Sequence, residues 1–555
     1  MDDLLAGSTP ASVALATVVI DELAALGVTD VVCCPGSRSA PLAYACARVE
    51  AEGRIRLHMR LDERSAGFFA LGLAKASGRA TPVITTSGTA VANLAPAMAE
   101  ARFAQVPLVA VTADRPSTLV GMRANQTADQ VGIFGTTPLA VVRVSSADGS
   151  YDGWRAQVRR VVVTADGRLS RRPGPVHLNV ELTAPLIGEP EAIPRGVPFR
   201  VEPIPPGGAV RLDAGPRTVI VAGDMPVEQG RWWAQAADQA RIPLLAEPSS
   251  NARWGSAAVS GYRYLLPGFA SQIERVVVTG HPTLSRPVTS LLSRTDIDIV
   301  AVDSSGEWSN PGWATSCVAP AVRLAAGDPG WLDRWTAADQ WWRQMVDAAS
   351  SWSPAAAVTG VWGQLGAQDV LVLGASNPIR DADIAPIGSV SPQVYANRGL
   401  SGIDGTIATA CGIAAHHGQP VVAYLGDLTA LHDISSLAVP RHETTPDVTV
   451  VVADDQGGSL FSTLEYGAAR SSIGEMADWF ERLFALPMAV DVAAVARGFG
   501  VPVTTATSST ALIAALQRRG PGLSVVVASL ERADRATRHK QLSAWGRQAV
   551  RSVTS

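Results

Sequence analysis

The stretch PVVAYLGDLTALHDISSLAVPRHETTPDVTVVVADDQGGSLF, residues 420–461, decides how this chain reads. Two apolar runs, one ending at Gly426-Asp427 and the next at Asp454-Asp455-Gln456-Gly457, have the length and composition of strands buried in a parallel sheet. Asp427 and Asp455 are 28 residues apart, the length of one strand-helix-strand unit, which brings the ends of consecutive parallel strands side by side. The spacing therefore predicts two converging carboxylates. With a loop carbonyl turned inward at Gly457 and a diphosphate, they would complete an oxygen-rich site for Mg²⁺. Capping of the following helices is the competing use of such aspartates.

Working outward, short apolar runs bounded by glycine or proline alternate with alanine-rich segments of helical period along the whole chain. The class is α/β, with open parallel sheets covered by helices. Two composition shifts divide it, the proline-rich Leu186 to Gly208 and the Ser/Ala/Pro stretch from Ala348 to Gly360. The expected modules are 1–185, 209–345 and 356–555. The first and third share a faint repeat: Gly72…Gly78 before Pro82…Gly88, and Gly412…Gly418 before Pro420…Gly426. The offset is 340 positions before the strand and 338 after it. In the middle module four apolar runs, beginning near Arg217, Arg241, Arg275 and Asp296, predict a third sheet.

Composition removes several function classes. The 555 residues carry a net charge of -4 from 46 basic and 50 acidic side chains, without polybasic runs, so no nucleic-acid or lipid footprint is expected. Only Lys75 and Lys540 are lysines, and there is neither a Walker-type loop nor a G-x-G-x-x-G fingerprint. Five cysteines, none in a C-x-x-C pair, argue against a disulfide framework or a zinc site. The acidic start MDDLLAGSTP and the lack of a long apolar run point to a cytoplasmic protein with no membrane insertion.

Gly426-Asp427, followed after that spacing by an acidic pair and Gly457, resembles the thiamine diphosphate signature of the pyruvate-oxidase-like enzymes. That family has pyrimidine-binding, central and diphosphate-binding α/β domains, so the resemblance spans the chain and fits the repeat. It usually carries an asparagine pair where this chain has Asp454-Asp455, which puts metal identity or affinity in question more than the site. The resemblance implies thiamine diphosphate and Mg²⁺, with Mn²⁺ as an alternative ion. Asp427, Asp455 and the Gly457 carbonyl would be the ligands, and Gly426, Ser401, Gly402 and Ile403 would contact the cofactor. Ile403 would pack beneath it and hold it bent.

The family also implies a glutamate at a strand end of the first module, and RIRLHMRLDERSAGFFALGLAKASG supplies it. Alternation of Ile55, Leu57, Met59 and Leu61 predicts a strand, Ala66, Phe69, Ala70 and Leu73 predict a helix, and Glu63 lies at the junction. By resemblance its carboxyl bonds N1′ of the aminopyrimidine and so promotes deprotonation of thiazolium C2. That role calls for a shielded carboxyl with a raised pKa.

Four strings, Cys34-Pro-Gly-Ser-Arg-Ser-Ala-Pro-Leu42, Thr112-Ala-Asp-Arg-Pro116 with Asn125-Gln126, Asn397-Arg-Gly-Leu-Ser-Gly-Ile-Asp-Gly405 and Gly457-Gly-Ser-Leu-Phe461, resemble one branch of that superfamily. The branch joins 2-oxoglutarate to isochorismate with loss of CO₂ in menaquinone biosynthesis. Two dicarboxylates require several arginines, whose planar forks bind carboxylates bidentately. The resemblance supplies Arg38, Arg115, Arg380 and Arg398, with Arg286 reaching in from the middle module. Ser37, Asn125, Gln126 and Ser376 add hydrogen bonds, and Leu460 and Phe461 form an apolar wall. It assigns catalysis to Glu63, Arg38, Gln126 and Arg398, and implies a homodimer or homotetramer with shared active sites. Competing readings are another 2-oxo acid decarboxylase or acetohydroxyacid-synthase-like carboligase, and a non-catalytic cofactor-binding or assembly protein on the same fold.

Overall fold

A computed structural model describes residues 9–190, 199–205, 207–349, 351–465, 467, 479–532 and 535–554. Most of the acidic start and the centre of the proline-rich segment, 191–198, lie outside the described residues. The chain forms two compact units: Met1–Ile204 with Gly399–Gln419 and Asp433–Asp447, and Pro205–Arg398 with Pro420–His432 and Val448–Ser555.

In the first unit, β1 (Asp30–Cys33), β2 (Arg56–Met59), β3 (Thr81–Thr85), β4 (Leu108–Asp114), β5 (Val141–Ser145) and β6 (Val176–Glu181) form a parallel sheet in the order β2-β1-β3-β4-β6-β5. β1, β3, β4 and β6 are buried at every position; β1, β3 and β4 accordingly read as largely apolar runs, whereas β6 alternates and buries His177, Asn179 and Glu181 as well. The core on this sheet includes Leu15, Val19, Ile20, Val109, Val158 and Leu178.

The second unit holds two larger sheets. In the middle module, β8 (Thr218–Ala222), β9 (Leu244–Ala246), β10 (Arg275–Thr279), β11 (Asp298–Val302) and β12 (Cys317–Ala319) are ordered β12-β11-β10-β8-β9, all parallel. The four expected runs are all strands, and short β12 joins them as an edge. β7 (Val210–Leu212) and β13 (Val322–Leu324) pair separately. Trp331, Trp335 and Trp342, on one face of the helix Pro329–Ala348, are buried in the middle-module core with Tyr262 and Phe269.

The other sheet contains β14 (Val370–Leu373), β15 (Gln393–Ala396), β16 (Val421–Gly426), β17 (Val448–Asp454), β18 (Val503–Ala506) and β19 (Leu523–Ser529). Its order, β15-β14-β16-β17-β19-β18, repeats that of the first sheet strand for strand, with β16 in the place of β3. The faint repeat in the sequence is thus a repeat of topology. The helices that precede these two strands in sequence, Glu63–Ser77 and Thr406–His417, end alike, at Gly78 and Gly418 in the left-handed conformation. Both helices belong to the first unit and pack on each other at their matching glycines. A Cβ on Gly72 would lie 2.2 Å from the Thr409 carbonyl oxygen, and one on Gly412 would lie 2.1 Å from that of Phe69.

Candidate active site

The strand expected through Leu61 stops at Met59, and Leu61 is 72% exposed. Its helix begins at Glu63, and the cap is Asp62, whose side chain accepts from the amides of Arg64 and Ser65. The neighbour thus relieves Glu63 of the structural role that a first-turn acid commonly has. Glu63 is half-buried and its carboxylate has no hydrogen-bond or ion-pair partner among the described residues.

The first unit gathers part of the expected substrate set around the loop after β3. Arg115 donates from Nη1 to Ser87 Oγ at 2.7 Å and to the Gln126 carbonyl at 2.8 Å, while Gln126 Nε2 donates to the Ser87 carbonyl at 2.7 Å. Gly36 lets the GSRS turn approach this loop, since a Cβ there would meet Thr86 at 2.3 Å. Arg38 donates to the Leu182 carbonyl at 2.7 Å, and burial together with nearby Arg115 pulls its pKa down. Ser37 and Asn125 are exposed, so their side chains remain accessible. In the same unit, buried Glu100 accepts from the amides of Gly399 and Leu400, each at 2.7 Å. That anchor precedes Ser401, with φ 59°, Gly402 and Ile403. Ile403 is only partly buried and is not a core isoleucine.

The second unit holds the acidic strand ends. Asp427 Oδ2 accepts from the Gly457 amide at 2.7 Å, and Oδ1 from the Leu428 amide at 2.8 Å. Burial, with Asp455 and Asp454 nearby, lifts the Asp427 carboxyl to about 7 against the opposing pull of those two amides. Asp455 Oδ2 accepts from Ser459 Oγ at 2.5 Å and from Arg535 Nη2 at 3.2 Å, which leaves Oδ1 without a hydrogen-bond partner among the described residues. Among the described residues, no three His, Cys, Asp or Glu side chains cluster as a metal site. The donor set here is instead two buried carboxylates and the Gly457 backbone, at φ 128°. Hard oxygen donors on two carboxylates and a loop backbone are the donor chemistry that a Mg²⁺-type cation takes.

Arg535 is a residue that the sequence did not disclose. It bonds Asp381, Asp455 and Ser459 together from the start of the helix Arg535–Thr554, with no motif to mark it. Its guanidinium counterbalances the charge that an aspartate adds at position 455. Next to it, a cavity of about 460 Å³ within the second unit is lined by Arg286, Arg380, Leu460, Arg535, Arg538 and Tyr264, among others. Arg380 donates to the Ser376 carbonyl at 2.7 Å, and burial with the neighbouring Arg398 lowers its pKa to about 10. Ser376 caps its short helix at φ 70°, a strained value for a side-chain-bearing residue. Leu460 and Phe461 lie on the single-turn helix Ser459–Thr463, and Arg286 opens the helix Arg286–Leu291 with its side chain exposed. The expected site residues therefore form two constellations, one in each unit.

Residues 13–133 match the model of the thiamine pyrophosphate enzyme N-terminal TPP binding domain, and 386–527 match that of the C-terminal TPP binding domain. A 2-succinyl-5-enolpyruvyl-6-hydroxy-3-cyclohexene-1-carboxylate (SEPHCHC) synthase of Kineococcus radiotolerans is 45% identical over 93% of this chain and 95% of its own length. The chain belongs to the SEPHCHC synthase family. Members so named from a Nocardioides and an Arthrobacter species are 43% and 40% identical, over 93% and 98% of this chain and 95% and 94% of theirs. As a member of the SEPHCHC synthase family it is a thiamine diphosphate-dependent enzyme, with the cofactor-binding domains at either end of the chain. No helix among the described residues is long and apolar enough to cross a membrane.

Proposed function

We propose that this enzyme decarboxylates 2-oxoglutarate and adds the resulting succinyl unit in a 1,4 sense to isochorismate, giving SEPHCHC and CO₂ for menaquinone biosynthesis. The observation that supports this reading is a pair of guanidinium pairs, Arg38 with Arg115 and Arg380 with Arg398; burial first, and then the neighbouring guanidinium, lowers the pKa of Arg38 and of Arg380. None of the four has an ion-pair partner among the described residues. Arginines clustered in pairs, with no carboxylate in direct ion-pair contact, suit two dianionic substrates.

Thiamine diphosphate, when bound, supplies the nucleophilic carbon and stores the electron pair left by CO₂. Glu63 holds a proton at the aminopyrimidine N1′. Ser401, Gly402, Ile403 and Gly426 seat the cofactor, while Asp427, Asp455 and the Gly457 carbonyl hold Mg²⁺, or Mn²⁺ in its place. Arg38, Arg115, Arg286, Arg380 and Arg398 bind substrate carboxylates. Ser37, Asn125, Gln126 and Ser376 orient the polar groups, and Leu460 and Phe461 exclude water from one side. The modules are 1–185 for the pyrimidine, 209–345 between, and 356–555 for the diphosphate, in a cytoplasmic homodimer or homotetramer with shared sites.

The test is CO₂ release from 2-oxoglutarate with thiamine diphosphate and Mg²⁺, together with isochorismate-dependent product measured by mass. Turnover of pyruvate with none of 2-oxoglutarate would overturn the assignment in favour of another carboligase.

A further inference from the structure

Glu247 follows β9 in the middle module and is 1% exposed. Its Oε1 accepts from the Leu284 amide at 2.7 Å and the Thr283 amide at 3.0 Å, and no cation pairs with it among the described residues. Burying a carboxylate on backbone amides alone is costly, and burial pushes this carboxyl up to about 7 despite those amides and the nearby Arg398. A core position that needed only packing would be better served by an apolar side chain.

The turn that Glu247 holds, His281 to Ser285, leads directly into Arg286. It also carries Thr283, whose Oγ1 accepts from Arg398 Nη2 at 2.6 Å. Arg398 is 2% exposed, and its Nε is buried without a partner. Asn251, four residues beyond Glu247, grips the strand that leads to Arg398: its side chain donates to the Val394 carbonyl at 3.0 Å and accepts from the Val394 amide at 2.8 Å. One short segment of the middle module, 247–251, thus holds both the turn bearing Thr283 and the strand end bearing Arg398, all within the second unit.

We propose that Glu247 is a positioning residue for substrate binding: it fixes Thr283 and, through the Thr283 hydroxyl, presets the Arg398 guanidinium toward a substrate carboxylate. This gives the middle module a part in substrate recognition, and it rests on the reading of Arg398 as a substrate contact.

The experiment uses the holoenzyme with Glu247→Gln, Thr283→Val, the double variant and Arg398→Ala. Glu247→Gln and Thr283→Val are each expected to raise the KM for one dicarboxylate about tenfold, with kcat within about twofold and thiamine diphosphate titration unchanged. The double variant should show no further increase, because both changes break one chain of contacts. That non-additivity separates positioning from general loosening of the fold. Thr283 is exposed, so its variant tests the idea even if Glu247→Gln does not fold. Multiplicative KM effects, or unchanged KM in Thr283→Val while Arg398→Ala raises it, would overturn the inference and leave the role of Arg398 standing. Unchanged KM values in Arg398→Ala would overturn both.

Discussion

Glu63 shows how much of a residue's role depends on its neighbour. Because Asp62 makes the helix cap, the Glu63 carboxylate is left half-buried and without a partner, available to a ligand rather than to the fold. Glu63→Gln should therefore fold and bind thiamine diphosphate normally while C2 proton exchange, followed by NMR, slows by about two orders of magnitude or more. Exchange near the wild-type rate would remove Glu63 from the mechanism. Asp427→Ala tests the opposite constellation: loss of a buried carboxylate should weaken Mg²⁺ and cofactor binding at least about tenfold in a calorimetric titration. The spacing of Asp427 from Asp455 is a local pattern, whereas Glu63 is singled out in the sequence only by the family resemblance at a strand-to-helix junction. Arg535 and Glu247 were not legible there, since their partners, Asp455 and Thr283, lie far away in sequence and only folding makes them neighbours.

At the scale of elements, the contact between Glu63–Ser77 and Thr406–His417 makes a sharp stability prediction. Alanine is favoured over glycine in a helix by about 1 kcal/mol. At Gly412, however, the new methyl would press on the Phe69 carbonyl at 2.1 Å, and overpacking against backbone costs about 1–3 kcal/mol. The clash should win, so Gly412→Ala is expected to lower the unfolding midpoint. Gly360 lies in the helix Pro354–Trp362, and a Cβ there would meet only Ile513, at 4.0 Å. Gly360→Ala should raise the midpoint instead, and equal shifts in both variants would show that the helix contact is unimportant.

The end of β1 offers a second test at this scale. Asp30 joins β1 to β2 through His58 at 2.8 Å and Arg56 at 2.9 Å. Burial alone would raise its pKa, but hydrogen bonds from His58, Arg56 and Thr29 outweigh it and hold the carboxyl down at about 2. A depressed carboxyl stabilises the fold above its unfolded pKa of about 3.9, and this contribution disappears as pH falls through the folded value. Asp30→Asn should thus cost about 2 kcal/mol in urea unfolding at pH 7, with the gap to wild type closing between about pH 4 and pH 2. A gap that stays constant across that range would exclude the ionic contribution.

For the whole molecule, two sheets of identical strand order precede and follow a different one along the chain, and the proposed assembly shares cofactor sites between unlike modules of two chains. Sedimentation should accordingly give at least a dimer, and activity should fall on dilution in step with its dissociation. A fully active monomer would refute shared sites.

The sequence by itself determined the α/β class and the repeat between the first and third modules, and it supplied the acids whose spacing suggested a site. Each is written in local patterns: buried strands as apolar runs, helix ends as glycines, acids at strand ends at a fixed spacing. Only the tertiary structure decided that the repeated helices meet glycine to glycine, that Arg535 offsets Asp455, and that Glu247 and Asn251 hold the residues around Arg398. These depend on which distant segments come within hydrogen-bonding reach, and that is set by sheet order and packing, which no local pattern encodes.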